Sequence, residues 1–197
     1  HTNGLQMNSK LLESCGKPSF GVHVRVVDEE GNAVELGARG EVVFAGPHVM
    51  KGYFRDPERT NEVLINGWMH SGDIAEVDKN GYIYIVDRKK NLIIRGGLNI
   101  APTEIENVLY RHNGVLEASV VGVPDPEWGE GIVAVVALKE GVSIEKKELQ
   151  ELCANSELTS IKVPQQIEFW DELPKNAVGK IAKNEIRKHF WGKGRQV

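Results

Sequence analysis

Four stretches of the chain hold most of its groups equipped for chemistry. His70-Ser71-Gly72-Asp73 sets a carboxylate beside a glycine, just past an expected strand at Trp68. Such an Asp can accept hydrogen bonds from a vicinal diol such as ribose, each charge-assisted bond contributing about 1.5–3 kcal/mol, or it can simply turn a hairpin. Asp87-Arg88-Lys89-Lys90 groups three cations beside one acid. Arginine, always charged and fork-shaped, suits recognition of hydroxyls and phosphates; a solvated charge run accounts for the same residues. In Arg95-Gly96-Gly97-Leu98-Asn99-Ile100 the paired glycines can admit a ligand close to the backbone, or form an ordinary turn. Pro174-Lys175-Asn176-Ala177-Val178-Gly179-Lys180 places a Gly-Lys step on a mobile loop, able to deliver an ammonium to a phosphate.

Other chemistries lack their residues. Neither Gly-x-x-x-x-Gly-Lys-[Ser/Thr], Gly-x-Ser-x-Gly nor His-Glu-x-x-His occurs. The six histidines are scattered, and Cys15 and Cys153 fit no metal spacing, so no metal site is expected. Two widely separated cysteines suit a reduced, cytoplasmic setting.

These groups need elements to hold them. With 197 residues, 41% hydrophobic and 26% charged, the chain has room for one domain or two small ones. Coiled-coil, collagen-like and disordered classes are excluded by that composition. No apolar run approaches the roughly 18 residues of a membrane span, and residues 1–20 lack a secretion signal. Net charge is −4. Residues 175–197 hold seven Lys/Arg against Glu185 alone, which suits an anionic partner or a solvated terminal helix. Nucleic acid is a poor match, because the overall charge is negative and the cations are not interleaved with stacking aromatics.

Residues 20–86 read as β-rich. Strands are expected over 20–27, 41–45, 68–77 and 82–86, with turns at Asp28-Glu29-Glu30-Gly31-Asn32 and Asp78-Lys79-Asn80-Gly81. Asn80-Gly81 can supply the positive φ angles of a tight hairpin. After Asp87 the texture changes. A short strand at 92–94 is stopped by Gly96-Gly97, and Pro102 opens a helix to about Arg111, with acids at its positive end. Buried strands are expected at 118–123 and 132–138, and Ser143 as the cap of a helix over 144–153. A strand at 166–170 and a helix at 183–190 complete an α+β chain, with a boundary near Asp87 separating residues 1–86 from 87–197.

Taken in order, the motifs resemble one family. Gly40-Glu41-Val42-Val43 with Gly52-Tyr53, Ser71-Gly72-Asp73, and Gly81-Tyr82 leading to Asp87-Arg88-Lys89-Lys90 come first. Gly96-Gly97-Leu98-Asn99-Ile100-Ala101-Pro102-Thr103-Glu104-Ile105-Glu106 and Asn176-Ala177-Val178-Gly179-Lys180-Ile181 follow. Over about residues 14–190 this is similar to the carboxy-terminal part of the adenylate-forming enzymes: acyl-CoA synthetases, peptide-synthetase adenylation domains and luciferases. Val86-Asp87-Arg88-Lys89-Lys90, Arg95-Gly96-Gly97 and Val123-Pro124-Asp125 look most like the acyl-CoA branch, acting on fatty acids or related carboxylates.

The resemblance implies a two-step reaction. A carboxylate attacks the α-phosphate of Mg·ATP to give acyl-adenylate and pyrophosphate; coenzyme A then displaces AMP. By position, Asp73 and Arg88 hold the ribose, and Lys180 reaches the α-phosphate and carboxylate oxygens. Lys90 is the hinge, and Arg95, Gly96, Gly97 and Leu98 border the coenzyme A channel. Residues 1–86 correspond to the β subdomain of a large domain, a distorted barrel end, and 87–197 to a mobile lid with a central sheet flanked by helices. Ser71 stands where Thr is common, which keeps the hydroxyl. The family's Ser/Thr/Gly-rich phosphate loop and the aromatic-Gly-x-Thr-Glu motif are absent from these residues. The expectation is therefore a fragment, inactive alone, whose partner is the missing N-terminal part of its own chain. The alternative is a stand-alone binding module that docks a partner through residues 87–197.

Overall fold

The computed structural model describes residues 9–191. In chain order these form α1 (Ser9–Leu12), β1 (His23–Val27), β2 (Arg39–Ala45), α2 (Pro57–Val63), β3 (Leu64–Ile65), β4 (Trp68–Val77) and β5 (Ile83–Arg88). There follow β6 (Ile93–Arg95), β7 (Leu98–Ile100), α3 (Pro102–Leu109), β8 (Val115–Asp125), β9 (Gly129–Leu138), α4 (Lys146–Ala154), β10 (Gln166–Phe169) and α5 (Lys183–Trp191). The chain is α+β and divides into two compact units, His1–Lys90 and Asn91–Val197. The division falls four residues beyond Val86, because β5 stays paired with β4 as far as Arg88.

The first unit is built on the ten residues of β4, which pair antiparallel with β2, β3 and β5; β1 extends the sheet beyond β2. Val26, Val42, Ala75 and Ile83 form its apolar cluster. Gly40 sits where β2 passes the end of β1, and a Cβ there would clash with the Val27 carbonyl oxygen. Backbone cannot yield as a flexible side chain does. Gly40→Ala is accordingly expected to cost this unit about 1–3 kcal/mol, read as a lower urea midpoint at unchanged slope.

In the second unit β8 and β9 form a long antiparallel hairpin; β10 pairs parallel with β9 at Val133–Val136, β6 pairs antiparallel with it at Gly129, and β7 lies beyond β6. β9 is buried on both faces. Ile132, Ala134 and Val136 join the core made with α3 and α4, whereas Val133, Val135 and Ala137 pack with Ile186 of α5. Double-sided burial explains why β9 reads as an unbroken apolar run instead of alternating.

Three local expectations are corrected. Ser143 does not cap α4: its N-cap is Glu145, without a side-chain cap bond. Burial of Ile144 and extended backbone at Glu145 (φ −80°, ψ 143°) delay the helix. At 78–82 only Gly81 takes positive φ, not Asn80. The turn is closed by Gly81 N–H to Asp78 carbonyl (2.9 Å) and Asp78 N–H to Tyr82 carbonyl (3.0 Å), a longer form than the two-residue Asn-Gly hairpin. Gly96-Gly97 does not merely stop β6. It is a two-residue hairpin turn, both glycines at positive φ (56° and 78°), leading into the unanticipated strand β7.

Candidate functional site

Asp73 and Arg88 face each other across β4 and β5, with Arg88 Nε 2.6 Å from Asp73 Oδ1. The Asp sits on a bulge inside β4 and not on a loop after it. Glu41 of β2 pairs with Ile74 and Val43 with His70, so Val42 alone opposes Ser71, Gly72 and Asp73. Gly72 takes φ 71° at the crest. The Ser71 hydroxyl donates to the Val42 carbonyl (2.7 Å) and accepts the Asp73 N–H (3.0 Å). A bulge of this kind re-aims a side chain out of the ladder. Asp73 is left 28% exposed in its side chain, and among the described residues Arg88 is its one side-chain partner. The pair can therefore still accept bonds from, and donate to, adjacent hydroxyls.

Glu41, which the sequence reading left without a role, lies under this bulge at 7% exposure. Oε1 accepts the Gly72 N–H (3.0 Å); Oε2 lies 3.0 Å from Lys89 Nζ and 3.2 Å from His70 Nδ1. Burial pushes its pKa up, but the bonds from Lys89, His70 and Gly72 outweigh that and hold it below the ordinary glutamate range. Its contribution to stability is hence present at neutral pH and is lost as pH falls through that lowered value. An acid opening an otherwise apolar strand, Glu41-Val42-Val43-Phe44, was the available signal.

Lys90 is exposed in the 3₁₀ turn Lys89–Asn91, the last residue of the first unit.

In the second unit Arg95, Gly96, Gly97 and Leu98 come together as the β6–β7 hairpin. Arg95 is buried, its Nη1 donating to the Glu130 carbonyl (3.2 Å) and its guanidinium 5.1 Å above the Trp128 ring. A Cβ on Gly96 would meet Trp128 at 2.9 Å, so the bare backbone there is filled by an indole. Around Gly97 the space is open, and Leu98 is exposed.

Lys180 occupies a turn between β10 and α5. Asn176 N–H donates to the Lys180 carbonyl (2.8 Å), and Gly179 N–H to the Asn176 carbonyl (2.9 Å). Asn176 Oδ1 accepts the N–H groups of Val178 (3.1 Å) and Lys180 (2.9 Å). The same pattern of an Asp or Asn followed three residues later by a positive-φ Gly closes the turns at Asp28 and Asp78. So this segment is internally hydrogen-bonded. Its flanks are tied as well, Lys175 to Glu117 and Lys183 to Glu106, each at 2.8 Å. Among the described residues Lys180 has no ion-pair partner, and its side chain is exposed at the last position of the turn. An unpaired ammonium on a hydrogen-bonded turn is equipped to meet an anionic oxygen. Asn176→Ala is expected to destabilise the second unit by about 1 kcal/mol in urea unfolding. Asn176→Asp should recover most of that, since Asp serves the two sister turns.

Among the described residues no group of three His, Cys, Asp or Glu gathers as a metal site, and no helix is long and apolar enough to cross a membrane.

Residues 104–180 match the AMP-binding enzyme C-terminal domain, and residues 2–54 match the AMP-binding enzyme family. The feruloyl-CoA synthase of an Amycolatopsis species is 49% identical over 182 residues, 92% of this chain and 37% of that protein. The long-chain-fatty-acid–CoA ligase of Escherichia coli O157:H7 is 43% identical over 180 residues, 91% of this chain and 32% of the ligase. The fold superposes on o-succinylbenzoate CoA synthetase of Bacillus subtilis, solved with its acyl-adenylate intermediate. The TM-score is 0.84 at 34% identity, covering 95% of this chain and 37% of the other. The chain thus spans about a third of the length of these relatives. By its sequence motifs, its paired-sheet fold and these likenesses, the chain belongs to the adenylate-forming, AMP-binding enzyme superfamily.

Proposed function

We propose that the chain supplies the ribose-binding pair, the hinge and the lid lysine of an AMP-forming carboxylate–CoA ligase. Residues 1–86 are the end of its large domain and 87–197 its lid. Asp73 accepts the ribose hydroxyls and Arg88 adds a bond to the same sugar; Lys180 neutralises charge on the α-phosphate and carboxylate oxygens as the adenylate forms. Lys90 carries the rotation that withdraws Lys180 and presents the 95–98 hairpin to coenzyme A. ATP, coenzyme A and a carboxylate are the substrates. Fatty or aryl acids are the proposed class, because the relatives include a long-chain-fatty-acid ligase and a feruloyl-CoA synthase. Mg²⁺ enters with the ATP phosphates, and no described residues gather to hold it. Free Cys15 and Cys153 suit the reducing cytoplasm proposed for it.

The observation that carries this reading is the partly exposed Asp73–Arg88 pair, its Asp raised on a braced bulge. The phosphate loop is absent from these residues, so phosphoryl chemistry requires others. The test supplies ATP, coenzyme A and either ferulate or a long-chain fatty acid to two proteins. One is this chain; the other joins it to a phosphate-loop domain. AMP and thioester are expected from the second only. Thioester from the chain alone, or no adenylate from the joined protein, overturns the reading.

A further inference from the structure

We infer that Glu41 is the positioning residue of the ribose-binding pair: its buried carboxylate grips the chain just before Asp73 and just after Arg88. The inference rests on the ribose reading of those two residues.

The bulge creates a backbone problem. Three residues stand opposite Val42, whose carbonyl already accepts the Ser71 hydroxyl. The Gly72 N–H is thrown out of the ladder, and Glu41 Oε1 takes it at 3.0 Å. On the other strand, Arg88 is the last residue of β5 and Lys89 opens the 3₁₀ turn that follows. Glu41 Oε2 holds that turn through Lys89 Nζ at 3.0 Å. One carboxylate therefore closes a bracket around Asp73 and Arg88, whose own bond is its centre. His70 Nδ1, 3.2 Å from Oε2, takes the remaining capacity of the acid.

Packing alone does not call for this acid. The adjacent Val42 packs into the apolar cluster of this unit, and Val43, two positions from Glu41, is buried without any charge; a buried ion pair is often no more stabilising than a well-packed apolar group. What the acid adds is geometry. Without it, Gly72 and Lys89 are released together, and the gap between the Asp73 carboxylate and the Arg88 guanidinium is no longer set. Misplacement of a binding pair by about 1 Å is enough to cost two orders of magnitude.

The test uses the joined protein and ATP–pyrophosphate exchange, with KM for ATP and for the acid measured separately. Glu41→Gln is expected to raise KM for ATP at least tenfold and to leave KM for the acid within twofold. Lys89→Met, which opens one arm only, should raise KM for ATP about threefold. Glu41→Gln with Asp73→Asn should be no worse than Asp73→Asn alone, since both act through the same carboxylate. If Asp73→Asn weakens ATP and Glu41→Gln does not, the inference fails and the ribose reading stands. If Asp73→Asn itself leaves KM for ATP unchanged, the ribose reading fails first. A Glu41→Gln protein that loses affinity for ATP and acid equally has a merely structural acid there, which also overturns the inference. Should Glu41→Gln not fold, Lys89→Met decides, and wild-type KM for ATP in that variant is the negative result.

Discussion

Lys180→Ala should slow adenylate formation about 10²- to 10³-fold, the range found when one aimed donor is removed from a closed site. Thioester formation from a supplied acyl-adenylate should stay within a few-fold of wild type. The asymmetry follows from where charge moves. In the first step negative charge redistributes over the α-phosphate and the attacking carboxylate, and a cation aimed there is worth most in the transition state. In the second step the proposed hinge has carried Lys180 away. The braced turn strengthens the expectation. Asn176 and Gly179 hold the Lys180 backbone, while Lys175 and Lys183 are occupied by Glu117 and Glu106. No neighbouring ammonium on the turn is therefore free to substitute. ATP–pyrophosphate exchange reads the first half-reaction, and coenzyme A with synthetic acyl-adenylate reads the second. Equal losses in both would remove Lys180 from its role.

Asp73→Asn is expected to raise KM for ATP ten- to hundredfold, with KM for the acid nearly unchanged. The substitution keeps size but loses the charge that accepts hydroxyl bonds, about 1.5–3 kcal/mol for a charge-assisted bond. It also releases Arg88, whose Nε now lies 2.6 Å from the carboxylate. A discriminating control is 2′-deoxy-ATP. Asp73→Asn should lose much of the wild-type preference for ATP over the deoxy form, because a neutral amide oxygen accepts the hydroxyl bond less strongly than a carboxylate. A variant that keeps the full ribose preference assigns the diol to other residues.

Much of this was legible in the residues. β4 begins and ends where the strand was expected, Trp68–Val77, because turn residues bound it on both sides, Asn66-Gly67 before and Asp78-Lys79-Asn80-Gly81 after. α3 starts at Pro102 with Glu104 in its first turn, since proline and acid act within a few residues of the helix start. The α+β class, and the order of motifs that marks the adenylate-forming superfamily, are likewise carried by local sequence. The Asp73–Arg88 partnership could be suspected only from resemblance. Fifteen positions separate the two, and it is strand register that sets them opposite each other.

The remainder was decided in three dimensions. The bulge at 71–73 arises from a mismatch between β2 and β4, a property of the pair that neither strand carries alone. Ser143 has the right chemistry for a cap, yet burial of Ile144 won, because an apolar contact with the core outweighs one capping bond. Gly96 looked like an opening for a ligand and is filled by Trp128, thirty-two positions away. Glu41 looked like an ordinary strand residue until His70, Gly72 and Lys89 closed around it. Residue type and short spacing determine what a segment can form. Which carboxylate is buried, which lysine stays unpaired and which glycine is already occupied depend on contacts between segments far apart in the chain, and those exist only once the sheets have assembled.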